Sequence, residues 1–212
     1  MSSSDLSFYD INDYLSLVTP PRDSVLTKME IYAKENRFPI VGPTAASFLH
    51  QMVLLTNPKR IFEMGSGFGY SAYWMAKALK DPKAQIICTE GSADNAVRAK
   101  SYFDQGGIAD KIDFHVGNAL DIIENIEGDF DIIYNDIDKQ DYPIAFEKAI
   151  PRLRKGGLFI TDNLIWQGRV MNNDNHPTTI GVKELTRLLY ESDQVFSTIV
   201  PLRDGLAVAV KL

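Results

Sequence analysis

Ile61-Phe62-Glu63-Met64-Gly65-Ser66-Gly67-Phe68-Gly69-Tyr70-Ser71 is the stretch on which the fold turns. A short apolar run enters three alternate glycines and leaves into a segment of helical composition: a strand, a tight turn and a helix start. Glycines let the backbone turn sharply and come close to a ligand, and the helix that follows presents unpaired N–H groups. The alternative is a tight strand-to-helix turn with no ligand at all. A dinucleotide-binding GxGxxG would need glycine or alanine where Tyr70 stands, and no lysine follows as a phosphate-binding P-loop requires.

Downstream of this loop, short apolar runs alternate with longer amphipathic stretches. The runs are Arg60–Met64, Gln85–Thr89, Ile112–Val116, Phe130–Tyr134 and Leu158–Thr161, a rhythm that predicts a largely parallel sheet covered on both faces. Two further runs, Val195–Val200 and Leu206–Lys211, flank a turn ending in Asp204-Gly205. That pair is a hairpin signal, so one strand near the edge should run antiparallel. The expected class is α/β, a doubly wound sheet of seven strands.

Upstream, residues 1–57 read as a helical extension. Tyr14, Leu15 and Leu17 precede the break at Thr19-Pro20-Pro21, and Val25, Leu26, Met29, Ile31 and Tyr32 recur at helical spacing. After Phe38-Pro39-Ile40-Val41-Gly42-Pro43 a further helix is predicted, with Thr44 as its cap and Phe48, Leu49, Met52, Val53 and Leu55 on it. No stretch reads as a linker, so residues 1–212 are expected to form one domain.

Composition narrows the chemistry. Among 212 residues there are 28 acidic and 22 basic side chains, a net charge of −6, which argues against a protein that binds by neutralising nucleic-acid phosphates. Cys88 is the only cysteine. It excludes an intrachain disulfide and any CxxC site, so a metal would be held by oxygen or histidine. Met1–Asp5 carries no basic n-region, and no apolar run approaches the roughly 18 residues of a membrane span. A cytoplasmic protein that meets no membrane is expected.

Three strand ends carry acids. Glu90 follows Ile86-Ile87-Cys88-Thr89, where a carboxylate can accept from both hydroxyls of a ribose, so a nucleoside is the expected ligand. Asp136, Asp138 and Lys139 follow the fourth strand, and Asp162-Asn163 the fifth. Ligand sites in open parallel sheets gather at these ends. Two carboxylates and an amide oxygen make a hard ligand set suited to Mg²⁺, with Mn²⁺ or Ca²⁺ as competitors. The alternatives are helix caps or solvated loop acids, with Lys139 a surface ion-pair partner of Asp138. Of the other conspicuous residues, His50 and His115 read as structural, His176 as a solvated loop residue and Cys88 as core. Phe8, Tyr9, Tyr14 and Tyr32 read as core or dimer packing.

Glu63-x-Gly65-x-Gly67-x-Gly69 with Glu90 resembles motif I of the S-adenosylmethionine-dependent methyltransferases. The resemblance implies that the Gly65 backbone and the Ser71 hydroxyl lie near the methionine moiety, that Glu63 braces the loop, and that Glu90 binds the ribose. Gly117-Asn118-Ala119-Leu120 matches the segment whose backbone, at Gly117 and Ala119, meets the adenine; many relatives have Asp in place of Asn118.

A longer series, Asp136-x-Asp138-Lys139…Tyr142, Leu153-Arg154-Lys155-Gly156-Gly157, Thr161-Asp162-Asn163-Leu164-x-Trp166-x-Gly168-x-Val170 and Asp204-Gly205-Leu206, resembles the cation-dependent O-methyltransferases of the catechol and caffeoyl-coenzyme A type. The similarity runs from about residue 20 to the end and implies a Rossmann-like class I methyltransferase fold and a homodimer. Carried over, Asp136, Asp162 and Asn163 are the metal ligands, Lys139 with Asp136 forms the catalytic pair, and Asp136 also borders the cofactor. The lid is Phe38–Gly42, with Val41 touching the cofactor and Phe38 and Trp166 the substrate. The implied substrate is a small aromatic with adjacent hydroxyls. A metal-independent methyltransferase, a nucleotide-binding oxidoreductase and a non-catalytic binding protein of the same fold are the rival functions.

Overall fold

The computed structural model describes residues 8–212, with side chains from Ile11 onward; the readings of Met1–Asp5 and of the Phe8 and Tyr9 side chains fall outside it. Three helices, α1 (Phe8–Val18), α2 (Ser24–Asn36) and α3 (Gly42–Thr56), precede the alternation. It runs β1 (Arg60–Met64), α4 (Tyr70–Ala78), β2 (Gln85–Glu90), α5 (Ala93–Gly106), β3 (Ile112–Val116), α6 (Ala119–Asn125), β4 (Phe130–Asn135), α7 (Tyr142–Ala149) and β5 (Leu153–Thr161). It closes with α8 (Pro177–Glu191), β6 (Val195–Val200) and β7 (Leu206–Lys211). The strands form one sheet in the order β3-β2-β1-β4-β5-β7-β6. The pairs among β3, β2, β1, β4 and β5 are parallel, and β7 is antiparallel to both β5 and β6. The antiparallel strand, β7, therefore sits one place in from the edge, which β6 forms.

Strand order reverses between β1 and β4. Side chains alternate across the buried strands and fill two cores. On one face Ile61, Ile86, Ile132 and Ile160 meet Val25, Leu26 and Met29 of α2, Ala45, Leu49 and Val53 of α3, and most of α4. On the other, Phe62, Met64, Ile133 and Phe159 meet Ile123 of α6, Phe146 of α7 and Val182, Leu185 and Leu189 of α8. Burial of apolar surface on both faces is what a parallel sheet requires. Because α2 and α3 share their core with α4 and the sheet, these two helices are packed into the sheet rather than hung from it, whereas α1 leaves Ile11, Tyr14, Leu17 and Val18 exposed.

Local departures from expectation have simple causes. Thr44 does not cap α3: the helix starts at Gly42 with Pro43 in its first turn, and the cap position falls on Val41. Ile31 and Leu55 are exposed, at 51% and 71%, because the buried stripes of α2 and α3 run through Met29 and Ala33 and through Leu49 and Val53. β5 begins at Leu153, five residues earlier than its apolar run, and a register shift against β4 absorbs Arg154–Gly157. Among the described residues no helix is long and apolar enough to cross a membrane.

Candidate active site

The glycine loop leaves β1 beside the point where strand order reverses, and Asp136 leaves β4 on the other side of it. The two segments touch. A Cβ at Gly65, whose φ is +84°, would lie 2.6 Å from the backbone oxygen of Asp136, and Asp136 N donates to Met64 O at 2.9 Å. Only glycine fits there. Gly67 N donates to Glu90 Oε2 at 3.0 Å. A Cβ at Gly67 would approach the Phe38 ring to 3.1 Å.

Glu63, with no exposed surface, accepts from Ser66 Oγ and Ser71 Oγ at 2.5 Å each. Thr89 Oγ1 donates to Glu63 O at 2.8 Å. Burial raises the Glu63 carboxyl to about 7, against the pull of the two hydroxyls. The Ser71 proton is thus committed to Glu63, and only its oxygen lone pairs face the cleft. Glu90 is cradled by Ser92 N at 2.9 Å and Asn95 Nδ2 at 3.0 Å on Oε1, which leaves acceptor capacity on Oε2 beside the bond from Gly67 N. Gly117 N donates to Glu90 O at 2.9 Å. Asn118 caps α6 by accepting from Leu120 N at 2.8 Å, a duty that Asn and Asp perform equally well.

Asp136, Lys139, Asp162, Asn163 and Trp166 line the same cleft, of about 2320 Å³, as Gly65, Ser71, Glu90, Gly117, Ala119, Phe38 and Val41. Every residue singled out from the sequence as a site residue borders that cleft, apart from Glu63, which lies beneath the loop. Lys139 Nζ pairs with Asp136 Oδ1 at 2.8 Å, so its partner is Asp136 and not Asp138, and the pair is half-buried rather than on the surface. Its ammonium also lies 5.4 Å from the Tyr142 ring centre and 5.9 Å from that of Trp166. Asp162 is buried and is raised to about 7 by burial and then by the charge of Asp136. Burial raises Asp136 too, with Lys139 opposing.

The charge of Asp136 works against ionisation of buried Asp162, and a cation between the two would relieve both. Among the described residues no group of three His, Cys, Asp or Glu gathers to hold a metal; the set here is two carboxylates completed by the Asn163 amide. Asn163 N donates to Asp162 Oδ1 at 2.8 Å. Tyr142 Oη donates to Asp162 O at 2.8 Å, fixing the end of β5. These donors fit a hard divalent ion.

The region from residue 38 to 42 is clamped from two sides. Phe38 stacks edge-on against Phe68 of the glycine loop, with ring centres 4.9 Å apart. Arg203, in the β6–β7 turn, donates from Nη1 to Ile40 O at 3.1 Å and also to Val41 O. Arg203 is the site residue that the sequence did not disclose: an arginine beside a hairpin Asp-Gly reads as turn surface, and only the tertiary approach of residue 40 gives it a partner. Tyr70 was legible only as a missing glycine. Its hydroxyl donates to Glu30 Oε1 at 2.8 Å, tying α4 to α2, as Tyr73 does through Asp23 at 2.8 Å. The histidines serve structure: His50 Nδ1 bonds Trp74 O at 2.9 Å, and His176 caps α8 through Thr178.

The family model for O-methyltransferase matches residues 23–212. The chain belongs to the O-methyltransferase family. This O-methyltransferase is 31% identical to a catechol O-methyltransferase of Niastella koreensis over 96% of its own length and 97% of that protein's. It is 29% identical to caffeoyl-CoA O-methyltransferase 1 of Eucalyptus globulus, over 78% and 72% of the two chains. Among solved structures it superposes on the O-methyltransferase from Bacillus cereus in complex with SAH, with a TM-score of 0.87 and 29% identity across 95% and 97% of the chains. The rival reading as an oxidoreductase is set aside by these matches.

Proposed function

We propose that this O-methyltransferase moves a methyl group from S-adenosylmethionine to one hydroxyl of a small catechol-like or caffeoyl-type aromatic, with a divalent cation, Mg²⁺ or a near equivalent, held by Asp136, Asp162 and Asn163. The observation that carries this reading is the convergence of buried Asp162, half-buried Asp136, the Asn163 amide and Lys139 on the cleft that the glycine loop walls. The SAH-bound B. cereus relative and the catechol and caffeoyl-CoA relatives support the donor and the acceptor class.

In this reading the protein binds and orients. The Gly65 backbone, Ser71, Glu90, Gly117, Ala119 and Val41 hold the donor, with Glu63 bracing the loop from below. Phe38 and Trp166 flank the acceptor ring. A bound divalent cation lowers the pKa of a chelated phenol. Lys139, aimed into the cleft by Asp136, takes the hydroxyl proton when it is present as the neutral amine and so becomes the ammonium that pairs with Asp136. Holding oxygen and methyl in line supplies much of the rate. A single domain over residues 1–212 is part of the proposal, supported from α2 onward by the core that α2 and α3 share with the sheet, and so is a homodimer, testable by sedimentation.

A methyl-transfer screen over catechols, caffeoyl esters and monophenols, with Mg²⁺ or with EDTA, tests the reaction. Catechols should turn over only with the cation. Monophenols reacting equally well would sink chelation, and full activity in EDTA would return the metal-independent alternative.

A further inference from the structure

The loop that carries Asn163 is unusual in its backbone. Asn163, Trp166 and Gln167 have φ of 65°, 48° and 52°, so three non-glycine residues within five positions occupy the left-handed region. Such conformations persist only where surrounding contacts hold them. Here the contacts come from the β6–β7 turn. Leu164 N donates to Gly205 O at 2.9 Å and Ile165 N to Asp204 O at 2.8 Å. Gly205 is forced by the approach, because a Cβ there would lie 2.6 Å from a side-chain carbon of Ile165.

The Asp204 side chain adds what the backbone cannot. Its Oδ1 accepts from Gln167 N at 2.5 Å and its Oδ2 from Asn163 Nδ2 at 3.3 Å. A carboxylate can only accept, so the edge of the Asn163 amide that faces it must be the NH₂ edge. The amide oxygen is thereby turned away from Asp204 and left free for the cleft that Asp136, Asp162 and Asn163 line.

We propose that Asp204 is a positioning residue that selects the cation-binding orientation of the Asn163 amide, and so sets cation affinity from outside the ligand set. The inference rests on the proposed cation site. Without Asp204 the amide can present either edge, and an NH₂ group turned into the cleft repels a cation. The two backbone bonds from residues 164 and 165 do not use the Asp204 side chain, so they survive the substitution and keep the loop docked on the turn.

Mn²⁺ titration followed by electron paramagnetic resonance, with no donor or acceptor present, compares the unsubstituted protein with Asp204→Ala and Asp204→Asn. SAH binding by calorimetry in EDTA serves as the readout that a general loss of structure would move. Asp204→Ala should weaken Mn²⁺ binding at least tenfold while SAH affinity stays within threefold. Asp204→Asn should fall between, because its single carbonyl oxygen cannot serve both donors. Mn²⁺ affinity within threefold of the original in Asp204→Ala overturns the proposal, as does a parallel fall of Mn²⁺ and SAH affinity in both variants. Failure of the unsubstituted protein to take up Mn²⁺ overturns the cation site itself.

Discussion

Lys139 Nζ and Asp136 Oδ1 meet at 2.8 Å on the lip of the cleft, three residues apart in the chain. The lysine is therefore held by one of the carboxylates assigned to the cation, and its ammonium faces Tyr142 and Trp166 rather than bulk water. Charge at the site is shared among these groups.

Replacing the ammonium by a side chain of similar length isolates its chemistry. Lys139→Met should lower kcat on a catechol by about 10²- to 10⁴-fold and leave SAH affinity unchanged by calorimetry. Its rate should climb with pH, because hydroxide then removes the proton. A variant as fast as the original at neutral pH would remove Lys139 from the reaction.

Arg203 offers a separate handle on residues 38–42, the proposed lid. Its guanidinium bonds the carbonyls of Ile40 and Val41, and hydrogen bonds to a charged group contribute about 1.5–3 kcal/mol each when well made. Half-exposure reduces that, so Arg203→Ala should weaken SAH binding by roughly tenfold, equal to about 1.4 kcal/mol. Equilibrium dialysis against SAH measures it, and unchanged affinity would mean that Phe38 on Phe68 holds the lid alone.

Stability should depend on pH in two opposite senses. Burial raises both Glu63 and Asp162 to about 7. Each binds its proton more tightly in the folded chain, so its contribution is complete below the unfolded pKa of about 4 and is lost as pH rises through 7. Asp23 and Asp131 are depressed despite burial, by backbone N–H groups of α2 and Tyr73 in one case and by Arg154 with the Lys59 and Arg60 N–H groups in the other. Their contribution is present above about pH 4 and is lost on acidification. In EDTA and without donor, Tm should peak near about pH 5 to 6 and fall by about 5 °C toward pH 8. Mg²⁺ should recover the loss at the higher pH and do little at the lower. A Tm that rises steadily to pH 8 in EDTA would contradict the burial of these carboxyls.

The strands were legible because fully buried parallel strands leave apolar runs of the right length, and Asp204-Gly205 announced the hairpin. Gly65, Gly67, Asp136, Asp162 and Asn163 could be placed together because parallel strands deliver their C-terminal ends to one side. What stayed hidden depends on distant approach. Ile31 and Leu55 satisfy helical periodicity but miss the buried stripe. Arg203 and Glu30 acquire partners from residue 40 and residue 70, and no local spacing records either meeting. The start of β5 was obscured by Arg154-Lys155-Gly156, polar residues on a register shift.

Ile40 and Arg203 are 163 positions apart in the chain. Contacts that span such distances close late, after the local turns and helices that shorten the path between them. Residues 40 and 41 cannot be fastened by Arg203 until β7 has slotted between β5 and β6 and carried its turn into place. Competence to bind the donor should therefore arrive at the end of refolding, behind the gain of helix and the burial of the core, and a fluorescent donor analogue would time that final event.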